Sequence, residues 1–208
     1  SLSAWVYPKS DSGNYSIIGT GDHQCDNSRC WIQYELGLRD LKPHYAVERT
    51  ETCTIGAGRD RYETDLAAVP LNEWSFVTVN VQNNATEGRT VTFYVNGVQA
   101  STSHYLDNQT VFGCPNVRDP FCHTNYKTYL GGRGNDTYSP QNLFNGSLDD
   151  VLIYNYARTP AQIIEDMNAG HPFGGSPLSS KFGHWKFDEG HGTSTVDSGF
   201  GGHDGTLV

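Results

Sequence analysis

The chain has 208 residues, of which 14 are Lys or Arg and 23 are Asp or Glu, so its formal net charge is -9. An acidic chain without a cluster of basic residues repels nucleic acid and anionic membrane surfaces, which excludes both as partners. No apolar run approaches the roughly 18 residues of a membrane-spanning helix, and a single Met argues against a helical bundle. The aromatic residues can bury a core, and the length suits one all-β domain.

The first half of the chain alternates short apolar segments with turn residues. We expect strands at Ser1–Tyr7 and Ser16–Gly19. Trp31–Leu38 and His44–Glu48 flank a polar turn, which indicates a hairpin. The next segment, Arg49–Asp65, is polar and contains glycine, so we predict a long functional loop.

The second half contains the clearest strand patterns. Trp74–Val81 and Thr90–Val95 alternate strictly, and Asn96-Gly97 is typical of a two-residue hairpin turn. Further strands are predicted at Val98–Ala100, Thr128–Gly131 and Leu148–Tyr154.

One short helix is predicted after these strands. Thr159 is its expected N-cap, Pro160 its first residue, Gln162 the partner in a capping box, and Gly170 its end. Many strands followed by one helix predict an all-β fold, an antiparallel sandwich of two sheets.

Five cysteines lie in polar segments rather than in apolar runs. The pairs that are close in sequence, Cys25 with Cys30 and Cys114 with Cys122, are candidate disulfides. Cys53 has three alternatives: a free thiol, a bridge to another chain, or a pairing with Cys25 or Cys30. No spacing is typical of a zinc site or a redox pair.

The chain also contains five N-x-S/T sequons, which are candidate glycosylation sites. They begin at Asn14, Asn84, Asn108, Asn135 and Asn145. Sequons and loop cysteines together favour a secreted or cell-surface protein. Because the chain begins with Ser1 and not Met, we expect a mature or truncated product.

Five motifs occur in the order found in laminin-G-like domains. These motifs are SLSAWVYP, VPLNEWSFVTVNV, TVTFYVNGV, YLGGR and FNGSLDDVLIYNYARTPAQI. Their order over most of the chain resembles the laminin-G-like domains of the concanavalin A-like lectin/glucanase superfamily. The resemblance implies a jelly-roll sandwich.

The C-terminal segment, 183–208, resembles the opening of such a domain and not its end. We therefore expect a sandwich at 1–170 that lacks its usual first strands, a Gly/Pro/Ser-rich linker at 171–182, and an opening strand at 183–208. Three arrangements are open: the segment begins a further repeat, completes its own permuted domain, or is donated to a neighbouring copy. A missing first strand would leave an unpaired sheet edge.

No catalytic motif is apparent. The superfamily includes glycoside hydrolases, whose E-x-D-x-E strand places two carboxylates on one face, and that pattern is absent. Glu48, Glu51, Glu63 and Glu73 occur singly. We expect a protein that is not an enzyme.

Calcium is the cofactor that the sequence suggests. Asp149 occupies a position that resembles a calcium-ligating Asp of related jelly rolls, and Asp188, Glu189 and Asp197 would lie near it if the C-terminal segment pairs there. Three histidines in the same segment are expected to be polar loop residues: His184, His191 and His203.

Aromatic residues are the candidates for sugar contacts. The four tryptophans, Trp5, Trp31, Trp74 and Trp185, lie in predicted strands and are expected in the core. Tyr105, Tyr126 and Tyr138 lie in predicted loops and are the expected sugar platforms.

Two functions are consistent with these observations. The first is a structural module of an extracellular glycoprotein that assembles with neighbouring copies by strand addition, as a filament or a surface layer. The second is a calcium-dependent adhesion module that binds glycans or extracellular proteins.

Overall fold

The computed structural model describes residues 1–20, 34–48, 59–64, 68–84, 88–105, 127–134, 140–168 and 181–207. The elements of these residues, in chain order, are β1 (Leu2–Pro8), β2 (Asn14–Thr20), β3 (Tyr34–Arg39), β4 (Lys42–Glu48), β5 (Arg59–Glu63), β6 (Ser75–Asn84), β7 (Gly88–Val95), β8 (Val98–Tyr105), β9 (Thr128–Leu130), β10 (Gly146–Tyr154), α1 (Pro160–Met167), β11 (Lys181–Trp185), β12 (Ser194–Thr195) and β13 (Gly205–Thr206). The predicted all-β sandwich with one short helix is confirmed.

The strands form two large antiparallel sheets and one small one. The six-stranded sheet has the order β11-β10-β1-β6-β7-β8, and the five-stranded sheet has the order β5-β4-β3-β2-β9. Strands β12 and β13 pair with each other. Among the described residues there is no helix with the length and apolar character that crossing a membrane requires.

The core lies between the two large sheets because one face of each strand is apolar. Val77 and Val79 on β6 and Leu36 and Leu38 on β3 belong to one buried cluster, which also includes Trp185 of β11. Alternation along each strand sends the intervening residues to the outer faces.

Helix α1 covers the outer face of the six-stranded sheet. A second buried cluster there contains Phe76, Tyr94, Leu152, Tyr154 and Ile163. The alternation predicted for β6 is therefore confirmed, with Phe76 on this face and the valines on the other. The predicted capping box is also present, since the Thr159 side chain accepts from the Gln162 backbone and the Gln162 side chain from the Thr159 backbone.

Ionic and polar contacts fix α1 to the sheet. Arg158 donates to both carboxylate oxygens of Asp166, from Nε at 2.9 Å and from Nη2 at 2.8 Å. The Tyr154 hydroxyl donates to Asp166 at 2.7 Å. Burial and the neighbouring Asp166 both raise the pKa of Tyr154 above its usual value, so the phenol remains protonated as the donor.

Two expectations from the sequence are wrong in this part of the fold. The predicted loop at Arg49–Asp65 contains strand β5, which pairs with β4 at the edge of its sheet. Charged residues are common on edge strands, where they discourage pairing with other chains, and they conceal the strand pattern. Trp74 precedes β6 and is 46% exposed, so it is not a core residue.

The C-terminal segment pairs with its own chain. Strand β11 runs antiparallel to β10 at the edge of the six-stranded sheet, with Trp185 opposite Val151 and His184 opposite Leu152. The strand begins at Lys181, two residues before the boundary expected from the sequence. His184 is buried within this strand and is not a polar loop residue as predicted.

Candidate functional site

A buried carboxylate, Glu35, lies on the outer face of the five-stranded sheet. Its two oxygens accept hydrogen bonds from the hydroxyl of Ser16 on β2 and from Nη1 of Arg133, the latter at 2.9 Å. Nε2 of His44 on β4 lies 3.8 Å from Oε1, beyond hydrogen-bond distance. The side chains of Glu35 and His44 have no exposed surface, and that of Arg133 is 6% exposed. We call these four residues the Glu35 cluster.

Strand register brings the cluster together. Gly37 pairs with Ser16 on one side and with His44 on the other, so these residues share a face of the sheet. Glu35 is two positions from Gly37 and lies on that same face, whereas Leu36 enters the core. Arg133 comes from the segment after β9, close to its partner in space although distant in sequence.

Two glycines leave room for these side chains. A Cβ atom at Gly19 would lie 2.7 Å from Cβ of Arg133 and 2.8 Å from the carbonyl oxygen of Gly132. A Cβ atom at Gly37 would lie 2.6 Å from Cε1 of His44. Any larger residue at either position would displace a member of the cluster.

The electrostatics of the cluster keep Glu35 ionised. Burial alone would raise the pKa of Glu35, but His44, Arg133 and the Ser16 hydroxyl outweigh it and lower the pKa to about 2. A carboxyl group with such a low pKa cannot deliver a proton near neutral pH, as the acid of a glycosidase must. It serves instead as a fixed hydrogen-bond acceptor and negative charge.

Three nitrogen atoms of the cluster are buried without a partner. Neither ring nitrogen of His44 has a hydrogen bond within the described chain, nor does Nε of Arg133. Each buried, unsatisfied polar atom costs about 1–3 kcal/mol. Perturbed titratable groups and unsatisfied donors together are typical of functional sites.

The three predicted calcium residues, Asp149, Asp188 and Asp197, have different surroundings. Burial raises the pKa of Asp149, and the negative charges of Asp150 and Asp188 raise it further. Asp197, in contrast, accepts backbone N–H hydrogen bonds from His184, Gly199 and His203 at 2.7–2.9 Å.

Asp197 thus serves the local fold. Its carboxylate holds the turn after it against β11, and its side chain is fully buried. Glu189 also forms hydrogen bonds within the segment, since its Oε1 accepts from the backbone N–H of Val196 and from the hydroxyl of Thr195. In the part of the chain that the structure describes, no group of three His, Cys, Asp or Glu residues could hold a metal ion. Calcium binding by Asp149, Asp188 and Asp197 stays a prediction.

Several predicted sites lie outside the described residues. These are the disulfide candidates Cys25, Cys30, Cys114 and Cys122, the fifth cysteine Cys53, the sequons at Asn108 and Asn135, and the aromatic residues Trp31, Tyr126 and Tyr138. Asn84 ends strand β6. Tyr105 ends strand β8, so its predicted position in a loop is wrong. Asn14 begins β2, and Asn145 is exposed just before β10.

Exposed aromatic side chains occur where the sequence did not predict them. Trp74 packs against Tyr7 with ring centroids 5.6 Å apart. At the edge of the six-stranded sheet, Phe182 contacts Phe200 and stacks on His203. Both groups lie in or beside strands, and only the three-dimensional arrangement shows which ring face is left open.

Solved structures show the same fold at low sequence identity. The chain is similar to a presumed carbohydrate-binding protein from Bacteroides ovatus (TM-score 0.59, 18% identity, 99% of this chain and 53% of that one). It spans about half the length of that protein. It is also similar to the CBM40 domain of the Ruminococcus gnavus IT-sialidase bound to α2,3 sialyllactose (TM-score 0.56, 14% identity, 78% and 79% covered). A third structure is the leech intramolecular trans-sialidase (TM-score 0.56, 14% identity, 82% and 23% covered).

Family membership follows from the sequence match. No curated protein sequence matches the chain significantly. A laminin-G family model, described as the concanavalin A-like lectin/glucanases superfamily, matches residues 1–164 and so ends within α1. The chain therefore belongs to the concanavalin A-like lectin/glucanase superfamily, as its laminin-G-like motifs predicted.

Proposed function

We propose that the chain is a non-catalytic carbohydrate-binding module whose glycan site includes the Glu35 cluster. The observation that carries this proposal is the presence of buried nitrogen atoms without partners on His44 and Arg133. These atoms have no exposed surface, so a sugar reaches them only when the chain around the cluster opens; its hydroxyl and carboxylate oxygens are then the acceptors that the nitrogens need. The fold shared with the sialyllactose-bound CBM40 domain supports the assignment.

Binding fits this chemistry better than catalysis does. Glu35 has a pKa of about 2, so it remains a carboxylate and lacks the proton that a general acid must donate. Its negative charge is balanced by Arg133 at 2.9 Å, which fixes its position. A fixed acceptor between two donors is suited to orienting a ligand. We place the module in an extracellular setting, where complex glycans occur.

Glycan binding can be tested directly on the purified chain. An array that carries α2,3 and α2,6 sialyllactose and neutral oligosaccharides is probed with the wild type, with His44→Phe and with His203→Phe. His44→Phe keeps a ring of similar size but removes both unpartnered nitrogens, and loss of such a contact predicts at least about tenfold weaker binding. His203 is 59% exposed on the C-terminal segment and is the matched control.

Two outcomes would contradict the proposal. One is that no oligosaccharide binds the wild type, and the other is that His44→Phe binds as tightly as His203→Phe. Repeating the array with a chelator tests the calcium prediction separately. Binding that is lost with chelator and restored by calcium would support the predicted site of Asp149, Asp188 and Asp197.

Assembly by strand addition is the second candidate function. The observation that favours it is that β11 forms a sheet edge and is joined to α1 through residues 169–180. The same edge of one copy could receive the strand of another copy. In the structure, however, β11 pairs with β10 of its own chain, so glycan binding is the function that we favour.

A further inference from the structure

In the described part of the chain, one sequon has all three of its residues exposed on the surface. Asn145, Gly146 and Ser147 are all exposed where β10 begins. The sequon at Asn14 differs, because Oδ1 of Asn14 is buried and the hydroxyl of Ser16 donates to Glu35 in the interior. A glycan needs a solvent-facing asparagine, so Asn145 is the better acceptor of the two.

An exposed aromatic pair lies close to this sequon. Trp74 is 46% exposed, and its ring packs at a 58° angle against Tyr7. A tryptophan that leaves half of its surface in water forgoes much of the stabilisation that burial gives. Among the described residues, no ring other than that of Tyr7 packs against the Trp74 indole.

Strand register places the sequon and the aromatic pair on the same face. Tyr7 lies opposite Ser147, and Pro8 lies opposite Gly146. The Lys9 backbone then donates to the carbonyl of Asn145 at 2.8 Å, which continues the ladder by one residue. Ser147 of the sequon is thus the direct cross-strand neighbour of Tyr7, and Asn145 lies two residues before it, beside the aromatic pair.

We propose that Asn145 carries an N-linked glycan whose first sugar packs on Trp74 and Tyr7. The donor is a sugar whose anomeric carbon carries a lipid-diphosphate leaving group. Nδ2 of Asn145 forms a bond to that carbon and loses a proton, while the carbon–oxygen bond breaks and the diphosphate leaves with the electron pair. The apolar C–H face of the attached pyranose then covers the open face of the indole.

This proposal does not depend on glycan recognition by the Glu35 cluster, which lies on the other sheet. The attached glycan occupies the aromatic pair of its own chain, so the pair is not a site for free sugars.

The first test is the occupancy of Asn145. The chain is secreted from a eukaryotic host, and glycopeptides are identified by mass spectrometry before and after enzymatic release of N-glycans. We expect the Asn145 peptide to carry a glycan, and Ser147→Ala to abolish it without changing the asparagine. An unmodified Asn145 in secreted protein that carries glycans at other sequons would overturn the proposal.

The second test is the contact with Trp74. Thermal unfolding is compared for wild type, Asn145→Gln, Trp74→Leu and the double variant, since leucine keeps an apolar side chain but removes the flat ring. We expect loss of the glycan to lower Tm by about 2–4 °C in the wild type and by much less in the Trp74→Leu background. Phe182→Leu, which changes another exposed ring, is the control. An equal Tm loss in both backgrounds would show that the sugar does not contact Trp74.

Discussion

The pH dependence of stability provides a direct test of the Glu35 cluster. The pKa of Glu35 is lowered from 4.5 to about 2 in the folded chain, which corresponds to about 3 kcal/mol of folding free energy. Because the folded-state pKa is the lower one, this stabilisation is complete above about pH 5. It is lost as the pH falls from about 5 towards 2, where the unfolded chain binds the proton more readily.

Replacing Glu35 with Gln removes this contribution while keeping the size of the side chain. The free energy of unfolding is measured by denaturant titration with tryptophan fluorescence at pH 6 and pH 2.5. Between these values the wild type should lose about 2–3 kcal/mol more than Glu35→Gln. The variant should also be less stable at pH 6, because Arg133 then remains buried without its counter-charge.

The control for this experiment is Glu73→Gln, the same substitution at an exposed residue, measured at the same two pH values. Other carboxyl groups also titrate in this range, so the comparison between variants, and not the wild-type curve alone, measures the effect of Glu35. An equal loss of stability for the wild type and Glu35→Gln would refute the assignment of an ionised, buried carboxylate.

Two further predictions concern the anchoring of α1 and the C-terminal segment. Asp166→Asn should lower the free energy of unfolding by about 3–5 kcal/mol, because Arg158 loses a buried partner, whereas Glu165→Gln on the same helix should change it little. Denaturant unfolding measures both, and equal effects would contradict the role of the ion pair. Because β11 pairs within its own chain, light scattering should give the 23.0 kDa monomer mass at all concentrations. A mass that rises with concentration would favour strand exchange instead.

The strands that could be predicted are those in which the alternation of residue types shows which faces are buried. In β6, valines alternate with polar and aromatic residues, and this period matches the two buried faces that the strand contacts. Asn96 and Gly97 both have positive φ, at 51° and 75°, as the predicted hairpin turn requires. The capping box of α1 could also be predicted from the sequence, because all of its contacts lie within a few residues.

The Glu35 cluster could not be predicted in the same way, because its contacts are long-range. Glu35 follows Tyr34 and precedes Leu36 in an alternating strand, so the sequence indicates only that it shares a face with Gly37. Its ion-pair partner, Arg133, is 98 residues away in sequence and adjacent only after the sheet has formed. A charged residue between apolar neighbours, with glycine two positions on, was the one signal that could have drawn attention to this site.

The position of β11, which lies at the C-terminus although it resembles the opening of the domain, follows from its buried contacts. The family match ends at residue 164, so the position of β11 rests on contacts and not on resemblance. Trp185 is 7% exposed in the cluster between the sheets, and its indole N–H donates to the carbonyl of His203 at 2.9 Å. Asp197 ties the following turn to the same strand through the His184 backbone. Removing this segment would expose both the edge of β10 and the tryptophan side of the core, so the sandwich needs a strand in this position whether its own chain or another supplies it.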